Sequence, residues 1–187
     1  MIVFLHGLES TVDEDLLPIG RKVRWLRPRY PSFAAPGLDT RAAVALKAHC
    51  RDTGTSWLDD PERLAAAFAL PMANARAAIT AETRLVIGSS FGGAVLLKLL
   101  HEGGWSGPSL FLAGAGVKLT PHRTLPADTR ALFIHGRHDD VVLPADSRHL
   151  AAISGAPLWE VEDNHSLAGI LTDGTLAAAI GYLQAER

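Results

Sequence analysis

Cysteine is almost missing. Cys50 is the sole one in 187 residues, so no internal disulfide can form. A chain of this length can bury a core large enough to stand without covalent staples. A lone thiol fits a reducing compartment, and the expected location is cytoplasmic. Charge imbalance is also lacking: 18 Lys and Arg stand against 20 Asp and Glu, a formal net charge of −2. With no block of one sign standing out, neither nucleic acid nor an anionic membrane surface is an expected partner. No apolar run approaches the roughly 20 residues of a spanning helix. Residues 1–5 are apolar but short, lack a basic head and run straight into His6-Gly7. They read as a strand at the start of the chain and not as a secretory leader. Internal repeats and low-complexity tracts are missing, and no His/Cys/Asp/Glu group shows metal-ligand spacing. The expectation is a single domain over residues 1–187, with no metal and no cofactor.

What the chain does have is alternation. Short apolar runs stop at glycine: residues 2–5 (IVFL) before Gly7, 84–87 (RLVI) before Gly88, 109–113 (SLFLA) before Gly114 and 131–135 (ALFIH) before Gly136. Residues 156–161 (APLWEV) precede an acidic loop, and residues 22–26 (KVRWL) read as a poorer strand leading into the Pro-rich stretch 28–36. Continuous apolar strands of this kind suit a parallel sheet covered on both faces. Helical patterns fall between them, at residues 40–50, 61–80, 91–101, 145–153 and 175–185. Strand–helix alternation predicts an α/β fold with right-handed crossovers. Between Tyr30 and Arg84 the sequence offers two helical stretches and a polar turn at 52–60, but no clear strand.

The sharpest local signal is Gly88-Ser89-Ser90-Phe91-Gly92, followed by Gly93. It matches G-x-S-x-G between a predicted strand and a predicted helix. That context matters physically. The central serine sits on a strained strand-to-helix turn, small residues on both sides let the chains pack closely, and the hydroxyl is exposed beside a helix N-terminus. The free N–H groups there favour a developing oxyanion. The alternative is an ordinary Gly/Ser turn. Ser89 lacks the amino-side glycine and reads as structural.

This pattern resembles the α/β-hydrolase superfamily, and within it the short, lid-poor bacterial serine esterases and thioesterase-like members. The resemblance implies a three-layer fold of about six mainly parallel strands flanked by helices, and a triad in the chain order serine, acid, histidine. The stretch 133–144 (FIHGRHDDVVLP) is similar to the family's acid loop. Gly136 sets its register, so Asp139 takes the acid's position, with Asp140 its rival. The stretch 160–167 (EVEDNHSL) is similar to the loop after the last strand, which carries the histidine, here His165. The resemblance implies catalytic roles for Ser90, His165 and Asp139; His135, at the end of a strand expected to be buried, reads as a satisfied core polar group, and His138 stands beside Asp139 but out of the family's chain order. His6-Gly7-Leu8 is similar to the family's oxyanion loop, which implies backbone N–H donors at Leu8 and Phe91. His6 is then expected to brace the loop, Glu9 to point away from the site or to tune substrate choice, and Ser10 to cap the segment that follows.

Residues 114–129 are too short for the helical lid that larger members insert there, so the site is expected to be open. Pocket walls are expected from residues 33–38 and 117–122. Trp25, Trp57, Trp105 and Trp159 read as packing residues. The expected activity is hydrolysis of small or medium carboxylic esters or thioesters through an acyl-enzyme, with a small-molecule substrate. Amide hydrolysis or acyl transfer by the same groups stays open, as does a non-catalytic ligand-binding module on this fold. The oligomeric state is also open.

Overall fold

The computed structural model describes residues 1–8 and 18–185. Glu9 and Ser10 lie outside the described residues. The elements run β1 (Ile2–Leu5), α1 (Pro18–Leu26), β2 (Phe33–Ala34), α2 (Arg41–Thr53), a 3-10 turn (Trp57–Asp59), α3 (Pro61–Ala78), β3 (Leu85–Ser89), α4 (Phe91–His101) and β4 (Ser109–Leu112). They continue with α5 (Gly116–Leu119), β5 (Ala131–Gly136), α6 (Pro144–Ser154), β6 (Leu158–Val161), a second 3-10 turn (Gly169–Leu171) and α7 (Thr175–Gln184).

The six strands form one sheet in the order β2-β1-β3-β4-β5-β6, and every pairing is parallel. The strands read as unbroken apolar runs because both faces are covered. Val3, Leu5, Val86, Phe111 and Phe133 point into one core with Leu46 of α2, Phe68 and Met72 of α3, Val95 of α4 and Leu150 of α6. Their neighbours Ile2, Phe4, Leu85, Ile87, Leu110, Leu112, Leu132 and Ile134 point the other way, onto Val23 and Leu26 of α1 and Leu176, Ile180 and Leu183 of α7. Successive strand side chains alternate faces, so two apolar layers of helices demand two apolar faces.

Two sequence expectations are corrected. Residues 22–26 are not a strand but the second half of α1. Lys22, Val23 and Leu26 are buried while Arg21 and Arg24 are exposed, the three-and-four spacing of a helix face. A five-residue window is too short to separate that period from a strand's period of two. The strand of that region is β2, two residues inside the Pro-rich stretch, which pairs Ile2 with Phe33 and Val3 with Ala34. It is an edge strand, where flanking prolines leave few ladder bonds unmade.

Residues 54–60 form the corner between α2 and α3. The 3-10 turn there is held by a capping box, with Ser56 Oγ accepting from Leu58 N and Asp59 Oδ2 accepting from Ser56 N. Among the described residues no helix is long and apolar enough to cross a membrane.

Candidate active site

The carboxyl ends of β3, β5 and β6 meet at one rim of the sheet. Ser90 stands between β3 and α4 with φ 54° and ψ −119°, a backbone conformation that costs a non-glycine residue of order 1–3 kcal/mol. The surroundings hold it there. Ser90 N donates to Leu112 O at 2.9 Å, and Ser90 O accepts from Gly93 N at 2.9 Å and Ala115 N at 3.0 Å. The glycines are demanded by packing. A Cβ on Gly92 would lie 2.1 Å from the carbonyl oxygen of Leu5, and one on Gly88 would lie 2.6 Å from that of Gly92. Ser89 is buried at the end of β3, in agreement with a structural role.

His165 lies on the loop after β6, and Asp139 on the turn after β5. His165 Nε2 is 3.0 Å from Ser90 Oγ, and His165 Nδ1 is 2.8 Å from Asp139 Oδ2. An ionised carboxylate only accepts, so Nδ1 carries the proton and Nε2 is left to accept from the serine hydroxyl. Asp139 Oδ1 accepts from Val141 N and Val142 N, each at 2.9 Å. Burial pushes this carboxyl up, but hydrogen bonds from His135, His165 and Val142 N outweigh it, and the group lies well below the ordinary carboxylate range. Asp139 is therefore a fixed anion under the imidazole. The neighbouring candidates are not joined to this chain of bonds. Asp140 is exposed on the cavity wall, and His138 pairs with Glu162 at 3.0 Å on the surface.

His135 has a more specific place than that of a generic core histidine. It is closed to solvent, with Nε2 2.8 Å from Val142 O and 3.1 Å from Asp139 Oδ2, and Nδ1 2.7 Å from Ser147 Oγ. Both neighbours of Nε2 are acceptors, so Nε2–H donates to them and Nδ1 accepts the serine hydroxyl. Sequence reasoning missed this contact with Asp139. The signal available was the spacing: residues 135 and 139 bracket the glycine turn that brings them together.

The loop bearing His165 is built by its neighbours. Asp163 accepts from Asn164 N at 2.8 Å and from Gly169 N at 2.7 Å, and Asn164 Oδ1 accepts from Ser166 N at 2.9 Å. Asp163 O accepts from His138 N at 3.0 Å. A Cβ at Gly136 would lie 2.4 Å from that same carbonyl oxygen. Lys22 of α1, 2% exposed, reaches up to donate from Nζ to Ser166 O at 2.5 Å.

The first loop is braced as expected. His6 is buried; Leu38 N donates to its Nε2 at 2.9 Å, so Nδ1 donates to Gly7 O at 2.7 Å. Burial lowers its pKa against the opposing bond to Gly7 and keeps the ring neutral. Leu8 and Phe91 both line the cavity that contains Ser90 and His165, a space of about 610 Å³.

Trp57, read as packing from the sequence, also lines this cavity, with its ring 6.3 Å from that of Phe91. Of the expected walls, Lys118 and Leu119 take part. Residues 33–38 do not: Leu38 is fully buried, its backbone tied to His6. The wall is supplied instead by the corner between α2 and α3, where no strand or motif signalled a functional segment.

No protein-family model and no curated protein matches this sequence. Solved structures do match it along its whole length. The ydeN gene product of Bacillus subtilis is 13% identical, with 99% of this chain and 98% of that one covered and a TM-score of 0.65. A protein from Xanthomonas campestris pv. campestris assigned to the α/β-hydrolase superfamily is 18% identical, with 98% of each chain covered and a TM-score of 0.61. An α/β serine hydrolase without lid from Xanthomonas campestris is 16% identical, with 100% of this chain and 83% of that one covered and a TM-score of 0.57. Between β4 and β5 this chain has only the four-residue α5. Parallel six-stranded sheet, strand order and structural neighbours agree, and this chain has the α/β-hydrolase fold.

Proposed function

We infer that this protein is a serine hydrolase acting on small or medium carboxylic esters or thioesters, with Ser90 as nucleophile, His165 as general base and acid, and Asp139 as the orienting carboxylate. The observation that carries the reading is the continuous hydrogen-bonded chain from Ser90 Oγ through both nitrogens of His165 to Asp139 Oδ2. The solved likenesses, a lidless serine hydrolase among them, support it at the level of fold.

The chemistry is set by these atoms. His165 Nε2 takes the hydroxyl proton as Ser90 Oγ bonds to the acyl carbon. The imidazolium is stabilised by the buried Asp139 anion. Collapse of the tetrahedral intermediate breaks the bond to the alcohol or thiol, which leaves with the proton from His165. Water then attacks the acyl-enzyme with His165 again as base, and the acid departs. The N–H groups of Leu8 and Phe91 are the proposed donors to the oxyanion; both residues line the cavity, and Phe91 begins α4. Among the cavity's lining residues, Leu8, Trp57, Phe91, Leu119 and Val142 form an apolar wall suited to an acyl chain, with Lys47, Lys118 and Asp140 also facing the space.

A fluorophosphonate probe tests the reading. It is expected to label the protein covalently, with the adduct mapping to Ser90, and p-nitrophenyl esters or acyl thioesters are expected to turn over. An unlabelled, inert protein would instead be a ligand-binding module on the same fold. Transfer of the acyl group to an added amine or alcohol in preference to water would mark an acyltransferase.

A further inference from the structure

We propose that Lys22 is a positioning residue for His165, clamping the histidine loop from α1 through its bond to Ser166 O; this rests on the serine-hydrolase reading. Lys22 stands in the buried stripe of α1, four residues before Leu26 and beside Val23. Its neighbours in the stripe are apolar. A methionine would fill nearly the same space without carrying a charge into the interior. The ammonium is nonetheless there, 2% exposed and lining the same cavity as Ser90 and His165. Burial pushes its pKa down to about 8, against an opposing pull from Asp163. That is a penalty on the folded state, so the group's value is to be sought in what it holds.

What it holds is the carbonyl next to His165. The bond spans 144 positions in the chain and measures 2.5 Å. The histidine loop is also tied within itself by Asp163 and Asn164, to the β5 turn, and by Leu167, buried in the same core as Val23 and Leu26 of α1. Directly after Ser166 the backbone takes the left-handed conformation at Leu167, φ 50°. Lys22 is thus the brace that reaches this loop from α1. Misplacing a catalytic group by about 1 Å can cost on the order of a hundredfold in rate.

The test is Lys22→Met in the full chain, read three ways. The first is the downfield proton resonance of His165 Nδ1–H, an NMR signal of the bond to Asp139 that does not depend on turnover. It is expected to shift or broaden in the variant. The second is hydrolysis of p-nitrophenyl butyrate, with kcat expected to fall roughly 10- to 100-fold and KM to stay within about threefold. The third is thermal stability at pH 7, expected to be unchanged or higher. A residue needed only for folding would give the opposite pairing, a lower Tm with kcat preserved. A folded variant with both an unchanged resonance and an unchanged kcat overturns the proposal. If the wild type is inert but the resonance responds to the substitution, the hydrolase reading fails and the clamp stands. Should the methionine variant not fold, Lys22→Gln, which keeps a neutral N–H donor, is read by the same resonance and rate, with a smaller change expected in each.

Discussion

His135 Nε2 lies 3.1 Å from Asp139 Oδ2, and neither side chain is exposed to solvent. One carboxylate oxygen is therefore shared by two imidazoles, since Oδ2 also accepts from His165 Nδ1 at 2.8 Å. This sharing ranks the nearby carboxylates. Asp139→Asn presents an amide N–H where an acceptor is needed and disturbs the His165 tautomer. It is expected to lower kcat on a p-nitrophenyl ester by on the order of a thousandfold or more. Asp140→Asn, on an exposed wall residue, is expected to change kcat less than about threefold. The reverse order in steady-state kinetics would move the acid by one residue.

Ser90→Ala and His165→Ala are each expected to lower kcat by at least roughly a thousandfold, and the double variant by little more than either alone. Groups that act as a unit are not additive when removed. Both variants are expected to keep their fold by circular dichroism. Near-normal turnover in either would remove the assignment.

Gly92→Ala is expected to destabilise the protein by about 3 kcal/mol or more, because the new Cβ meets backbone that cannot rotate away. The obstructing atoms are the carbonyl oxygen and carbon of Leu5, at 2.1 and 2.5 Å. Gly181→Ala is the control. It sits exposed inside α7, with nothing within 4 Å of its added Cβ, and is expected to stabilise by about 0.5–1 kcal/mol. Thermal denaturation of the two variants separates a glycine required by close packing from one that is not.

Stability is expected to depend on pH at both ends, with signs set by two buried groups. Asp139 has its folded pKa lowered below the unfolded value of 3.8. Its contribution is fully present above that value and is lost as acid carries the pH down through the folded one. Asp139→Asn should therefore flatten the acid limb of a denaturation-midpoint profile. Lys22 has its folded pKa near 8 against 10.5 when unfolded. The unfolded chain binds more protons between those values, so this group makes stability rise with pH across that window. The difference between wild type and Lys22→Met, measured by urea denaturation at pH 7 and pH 10, isolates the effect from Tyr30. That phenol, pushed upward mainly by burial, acts with the opposite sign at the alkaline end. A wild-type minus variant difference that fails to grow more favourable to wild type with pH would contradict the assignment of Lys22.

Much of the fold was legible because its signals are local. Five of the six strands end in or near a glycine or an acidic turn, and their unbroken apolar character comes from having helices on both faces. Residues 22–26 misled because Val23 and Trp25 alternate with Lys22 and Arg24 as they would in a strand, and β2 was hidden because a two-residue edge strand among prolines has almost no pattern to read. Ser90, Asp139 and His165 were legible by motif order, and the structure brings their side chains into one chain of hydrogen bonds.

The amino-acid sequence by itself determined the alternation of strands and helices, the strained serine turn and the order of the three polar residues, since each depends on neighbours within a few positions. Tertiary structure decided the rest: that Trp57 closes the cavity from a corner 33 positions before Ser90, and that Lys22 grips a carbonyl 144 positions away. Those contacts join elements far apart in the chain. Their partners are chosen by how the layers pack, and no local pattern of residue types encodes that.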